Sequence, residues 1–99
     1  MVTGPDLASL AQDYRIAFLR YLPRHDEAAL TAGYEIGRAA ISGRVSLLDL
    51  VLVHHRVLRD VLGGTSSAGG GAVVDAAGTF FSEVVAAYEM AQRGPHEDG

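Results

Sequence analysis

Apolar residues recur every three or four positions along most of this chain, the spacing that builds one face of a helix. Four helices can be read in this way, and no strand. The first, over about residues 6–22, carries Leu7, Leu10, Tyr14, Phe18 and Tyr21 on one face. "TGPD" opens it: Pro5 suits a first helical turn, and Asp6 suits the positive end of the helix dipole. Pro23 is expected to stop it. The second, over 27–42, begins near Asp26 and carries Leu30, Tyr34 and Ile41 on one side. Gly33 and Gly37 stand four apart, and Ala29 and Ala40 extend that row of small residues. A glycine inside a helix costs up to about 1 kcal/mol, so the row predicts close approach by another helix. Gly43 is expected to provide the stop.

The third helix, over 47–62, starts at "SLLDLVLVHH", where Ser46 followed by Asp49 resembles a capping box with Asp in place of Glu. It ends at Gly63 and Gly64. "GGTSSAGGG" then reads as a flexible loop. The fourth helix, over 72–93, ends before Gly94 and Pro95, leaving 95–99 as a disordered tail. These last two helices are apolar around much of their circumference. In the third, Leu47, Val51, Leu58 and Val61 form one stripe, and Leu50, Val53 and Val57 form another beside it. In the fourth, Val73, Ala77, Phe80, Val84 and Tyr88 are widened by Val74, Phe81 and Val85. Helices of this kind are buried on more than one side. The pattern therefore predicts an all-α, antiparallel four-helix bundle over residues 1–94 that forms a homodimer, with Leu50, Val53, Val57, Phe81 and Val85 at the interface.

Composition points the same way. A chain of 99 residues is one small domain, and 48% hydrophobic residues exceed what a small monomer hides easily. The absence of cysteine excludes disulfides and thiolate sites. A net charge of −4 with scattered arginines argues against binding nucleic acid. No uninterrupted apolar run approaches a membrane span and no signal pattern opens the chain, so a cytoplasmic protein is expected.

Candidate chemistry is sparse. His54 and His55 are adjacent, so on a helix they diverge by about 100° and cannot chelate one ion together. A helical zinc site wants histidines four apart, and none stands at that spacing. His54, in line with Val51 and Leu58, reads as a partly buried structural histidine, whereas His55 points to the more polar side. Glu35 with Arg38, and Glu89 with Arg93, have the spacing of surface helix pairs. Ser46, Thr65, Ser66 and Ser67 have no histidine–acid arrangement around them. The glycine loop lacks the Lys-Ser/Thr pattern of a phosphate-binding loop. The residues thus predict no catalytic site, no cofactor and no metal. Two classes of function stay open: a protein-interaction module, and a small-molecule sensor whose apolar pocket is lined by Tyr34, His54 and Tyr88.

Three motifs, in order, carry a resemblance. The first is Tyr34, Glu35, Gly37 and Arg38; the second is Leu48, Asp49, Leu50, His54 and His55. The third is "FFSEVVAAYEMAQRG", with Tyr88, Glu89, Met90, Arg93 and Gly94. Together they resemble the RsbU N-terminal domain family, also called KaiA-like, from roughly Leu10 to Glu97. The resemblance implies a dimeric four-helix regulatory domain, of the kind that precedes PPM-type phosphatase, PAS or histidine-kinase domains in bacterial stress signalling. It implies a protein partner of the RsbT switch-kinase type, or a linked phosphatase or kinase effector, in sigma-factor regulation. No phosphatase domain accompanies these residues, so no catalytic activity is implied here. The glycine-rich loop and Pro95 depart from the family pattern.

Overall fold

Each of the first three helices starts where a side chain takes up a free backbone N–H. The computed structural model describes the backbone of residues 6–97 and the side chains through residue 93. Helix α1 spans Leu7–Arg24, α2 Glu27–Ser42, α3 Leu47–Gly63 and α4 Gly70–Glu97. Asp6 caps α1 by accepting the Ser9 N–H at 2.9 Å, and Asp26 caps α2 by accepting the Ala28 N–H at 2.7 Å. Ser46 caps α3 by accepting the Asp49 N–H at 3.1 Å, the Ser half of the capping box. Each such cap contributes about 1 kcal/mol. Pro5 lies outside the described residues.

The helix ends differ from the sequence expectation in instructive ways. Pro23 lies inside α1, which runs one residue further to Arg24. A proline in the last turn removes one hydrogen bond, and here it is exposed, so the strained carbonyl one turn back can tilt towards water. His25 then takes the left-handed conformation (φ 52°) and gives its N–H to the Tyr21 carbonyl at 2.7 Å. Gly43 is not the left-handed stop of α2; its φ is −86°. That conformation falls on Arg44 (φ 59°), whose N–H reaches the Ile41 carbonyl while the Val45 N–H reaches that of Ala40 at 2.8 Å. This is the paired-bond ending usually built around glycine, with buried Val45 as its apolar anchor.

The "GGTSSAGGG" segment is more ordered than its composition suggests. Thr65 donates its hydroxyl to the Val61 carbonyl at 2.6 Å, and a 3-10 turn over Ser67–Gly69 leads directly into α4. Helix α4 therefore begins at Gly70, two residues early. Its backbone also continues through Gly94 and Pro95 to Glu97, so the helix does not stop at Arg93; residues 98 and 99 lie outside the described residues.

α4 is the central element. Val73, Ala76, Ala77, Phe80, Val84 and Ala87 are buried along it, and it packs against all three other helices. Leu10, Tyr14, Ala17, Phe18 and Tyr21 of α1 complete the middle of the core, while Leu7 at the helix start is exposed. The rings of Tyr14 and Phe18 meet Phe80 at 5.1 and 5.6 Å between centroids. On α2 the buried side is the small-residue row (Ala29, Gly33, Ile36, Gly37 and Ala40), whereas Leu30, Tyr34 and Ile41 flank it half-buried. The segment Ser67–Arg93 is long and apolar enough, by length and composition, to cross a membrane, although no run of that length is free of polar residues. Its apolar stripe is instead spent on the core.

Candidate functional site

Two contacts with α4 differ sharply, and the family motifs are divided between them. At the first, α2 crosses α4 over Gly37. A Cβ placed there would run into the Val84 carbonyl oxygen and sit 2.9 Å from the Ala87 Cβ and 3.0 Å from the Tyr88 nitrogen. A Cβ on Gly33 would stand 3.0 Å from the Phe80 ring. The glycine row is a close crossing, as its spacing predicts. It joins Gly37 of the first motif to Tyr88 of the third. Around it Tyr34 and Tyr88 are half-buried, and Glu35, Arg38, Glu89, Met90 and Arg93 are exposed. Gly94 continues the α4 backbone.

The second contact seats α3. Only Leu50 and Val57 of this helix are fully buried. Beside them Leu47, Val53, Leu58, Val61 and Leu62 are partly covered. His54 is half-buried, one turn from Leu50, and Tyr14 of α1 lies 2.8 Å from its Nδ1. The phenol is buried, which pushes its pKa far up and keeps it protonated. Its proton has no other partner among the described residues, so the arrangement that satisfies it has Tyr14 donating to Nδ1 and the ring proton of neutral His54 on Nε2. The other face of the His54 ring stacks on Phe81 at 4.3 Å and 14°. Burial, and then the neighbouring charge of His55, lower the His54 pKa from its ordinary value.

His54 is thus half-buried, as the sequence suggests, but not every neighbour is the one expected. Val51 is 40% exposed and forms no buried stripe with it. Asp49 is half-buried at the helix start, and His55 is exposed. Among the described residues no group of three or more His, Cys, Asp or Glu side chains is arranged to hold a metal. Neither Glu35–Arg38 nor Glu89–Arg93 closes; the ion pair among the described residues is Arg15–Asp60, which ties α1 to α3. Nothing in local spacing could have indicated it, because the two residues come from different helices.

The expected interface needs correction. Leu50 and Val57 are 0% and 3% exposed inside the bundle of a single chain, so they cannot face a second one. Val53, Phe81 and Val85 are half-buried. What α3 leaves uncovered is the opposite face, where Leu48 is 67%, Val51 40% and Leu52 55% exposed, followed by exposed His55, Arg56 and Arg59. The broad apolar pattern of α3 thus has two sides: one in the core, one open.

A groove of about 910 Å³ runs between α1 and α2, with Leu10, Ala29, Ala32 and Ile36 on its floor and Asp13, Arg20, Arg24 and Glu35 among its lining. A smaller one between α2 and α4 includes Tyr34, Arg38 and Met90. His54 lines neither. Tyr34 lines the α2/α4 groove, whereas His54 is engaged by Tyr14 and Phe81, so the three expected lining residues are not gathered in either groove.

No curated protein and no solved structure matches the chain. The family model described as "Phosphoserine phosphatase RsbU, N-terminal domain" matches residues 12–91, which include the glycine crossing, all of α3 and most of α4. A match over that much of a four-helix domain settles its kinship: the chain belongs to the RsbU N-terminal domain family, the non-catalytic regulatory domain of that phosphatase.

Proposed function

We propose that this chain is a dimeric regulatory domain that relays the binding of a protein partner in bacterial stress signalling. A second copy covers the open α3 face, and the partner is an activating switch protein of the RsbT type or a linked phosphatase or kinase effector, acting in the cytoplasm. The observation that carries the dimer is the exposure of Leu48, Val51 and Leu52 on one helix face after the bundle has closed. Large contiguous apolar patches on a surface mark interaction sites, and these three residues adjoin one another on one helix face. Family membership supports the class of partner.

The rival reading, a small-molecule sensor, has less support, because Tyr34 lines the α2/α4 groove without His54 or Tyr88, and His54 is engaged by Tyr14 and Phe81. Light scattering at micromolar concentration tests the proposal directly. Wild type should run at twice 10.4 kDa, and Leu52→Asp should run as a monomer with little change in helicity. A wild-type particle of 10.4 kDa throughout that range would sink the dimer. Titration calorimetry against an RsbT-type protein tests the partner, and an absence of binding by a confirmed dimer would reject that class.

A further inference from the structure

Helix α3 buries fewer side chains completely than α1 or α2. Two of its side chains are fully buried, and among the described residues two polar contacts tie it to the rest of the fold. Both come from consecutive residues of α1. One is the exposed Arg15–Asp60 pair, which water and salt screen. The other is the bond between Tyr14 and His54, which is sheltered and backed by the Phe81 ring. It joins α1, α3 and α4 at one point. α2 takes no part, because it makes no close backbone approach to α3.

We propose that the Tyr14–His54–Phe81 contact is an acid-released latch: a proton on His54 loosens α3 from α1 and α4 while the α2/α4 crossing stays closed. The chemistry follows from which atom holds which proton. Neutral His54 offers Nδ1 as the acceptor for the Tyr14 hydroxyl. A protonated ring has no acceptor left, so the hydroxyl must turn to accept from Nδ1–H, and its own proton then has no described partner inside the protein, where Tyr14 is 1% exposed. The imidazolium also loses hydration at a half-buried site. Attraction to the Phe81 face offsets part of this, but it restores neither the acceptor nor the hydration.

The charges around the ring give no compensation. From α1 the titratable neighbour is Tyr14, which stays a phenol, and the adjacent Asp13 lines the α1/α2 groove instead. Asp60, the carboxylate at this interface, is taken by Arg15. From α4 the ring meets Phe81. On its own helix the charge felt at His54 is that of His55, which has the same sign. The closed form therefore binds the proton less readily than the open form. The seat of α3 is complete above the ordinary histidine pKa of about 6.5, weakens as pH falls below it, and levels off below the lowered value of the closed form. The latch rests on this geometry alone and stands or falls independently of dimerisation.

Hydrogen exchange read by mass spectrometry at pH 7.5, 6.5 and 5.5, corrected for intrinsic exchange, tests it. Opening of residues 47–63 should rise below pH 6.5 with a limiting slope of about tenfold per pH unit, the signature of one proton. Protection of α2 and of its crossing partner in α4 should hold. In His54→Gln, which keeps an acceptor but cannot titrate, the α3 response should be flat. Should that variant not fold, Tyr14→Phe keeps the ring and removes the bond; α3 should then open more readily already at pH 7.5 and respond less to acid. Unchanged α3 protection at pH 5.5, parallel loss in α2 and α4, or an undiminished acid response in either variant would each overturn the latch.

Discussion

The two sides of α4 solve the problem of helix contact by opposite means. Against α2 the backbones approach until no side chain fits between them, and Gly37 sets the distance. Against α3 the backbones make fewer close approaches, and the contact runs through large side chains: Phe81 stacks on His54, whose ring is held from α1 by the bond to Tyr14. Close backbone packing multiplies weak dispersion contacts over many atoms and tolerates no added volume. A contact through long side chains has fewer atoms in register and depends on a single directional partner. The first contact is rigid by shape, whereas the second is adjustable by chemistry. A regulatory domain needs both: a part that keeps its form and a part whose state can change.

Substitutions can break this comparison, beginning with the largest effect. Gly37→Leu should destabilise by about 3 kcal/mol or more, because the new side chain meets backbone atoms that cannot move aside. Urea denaturation measures it, with Gly78→Ala as the reference. A Cβ at Gly78 meets nothing within 4 Å, so that change should instead stabilise by about 0.5–1 kcal/mol. Equal destabilisation by both would mean that helical glycine, not the crossing, matters.

Tyr14→Phe should have an intermediate effect, about 1–2 kcal/mol, from one lost bond and an imidazole left without its donor. The loss should concentrate in α3, visible as exchange there at pH 7.5. A uniform loss across all helices would show that the α3 seat is as integral to the core as the crossing.

Arg44→Gly should have the smallest effect, and with the opposite sign. Arg44 holds φ 59° to finish α2, a conformation glycine adopts without the Cβ penalty. A rise in Tm equivalent to about 0.5–1 kcal/mol is expected, and a fall would show that the Arg44 side chain makes a contact beyond the turn.

The helices and the glycine crossing were legible in the sequence because both depend on local spacing. Ser46 and Asp6 mark helix starts by residue type, and Gly33 with Gly37 defines a face at a single period. The α3 site was legible only in part. Periodicity identified His54 as partly buried, yet Val51 looked as apolar as Val57, and nothing local says which of two adjacent stripes faces the core. That choice is made by what α1 and α4 present. Tyr14 was recognisable as core, but its bond to His54 joins residues forty apart in sequence. The left-handed turn at Arg44 was hidden for a different reason. Gly43 is the residue usually found there, and one position of offset in the turn moved the strain to its neighbour.

The order of the helices also bears on how the chain reaches this fold. The tightest pair, α2 and α4, is not consecutive; residues 43–69, including all of α3, lie between them. Bringing those two helices together closes a loop, whose entropy must be met before the contact returns anything. A crossing that forms in the folding transition state would make substitutions at Gly37 slow refolding, and substitutions in α3 mainly speed unfolding. Stopped-flow chevrons for Gly37→Ala and Tyr14→Phe would separate the two limbs. In kinetic terms, α3 is then the connecting segment over which the main fold closes, and the last helix to settle.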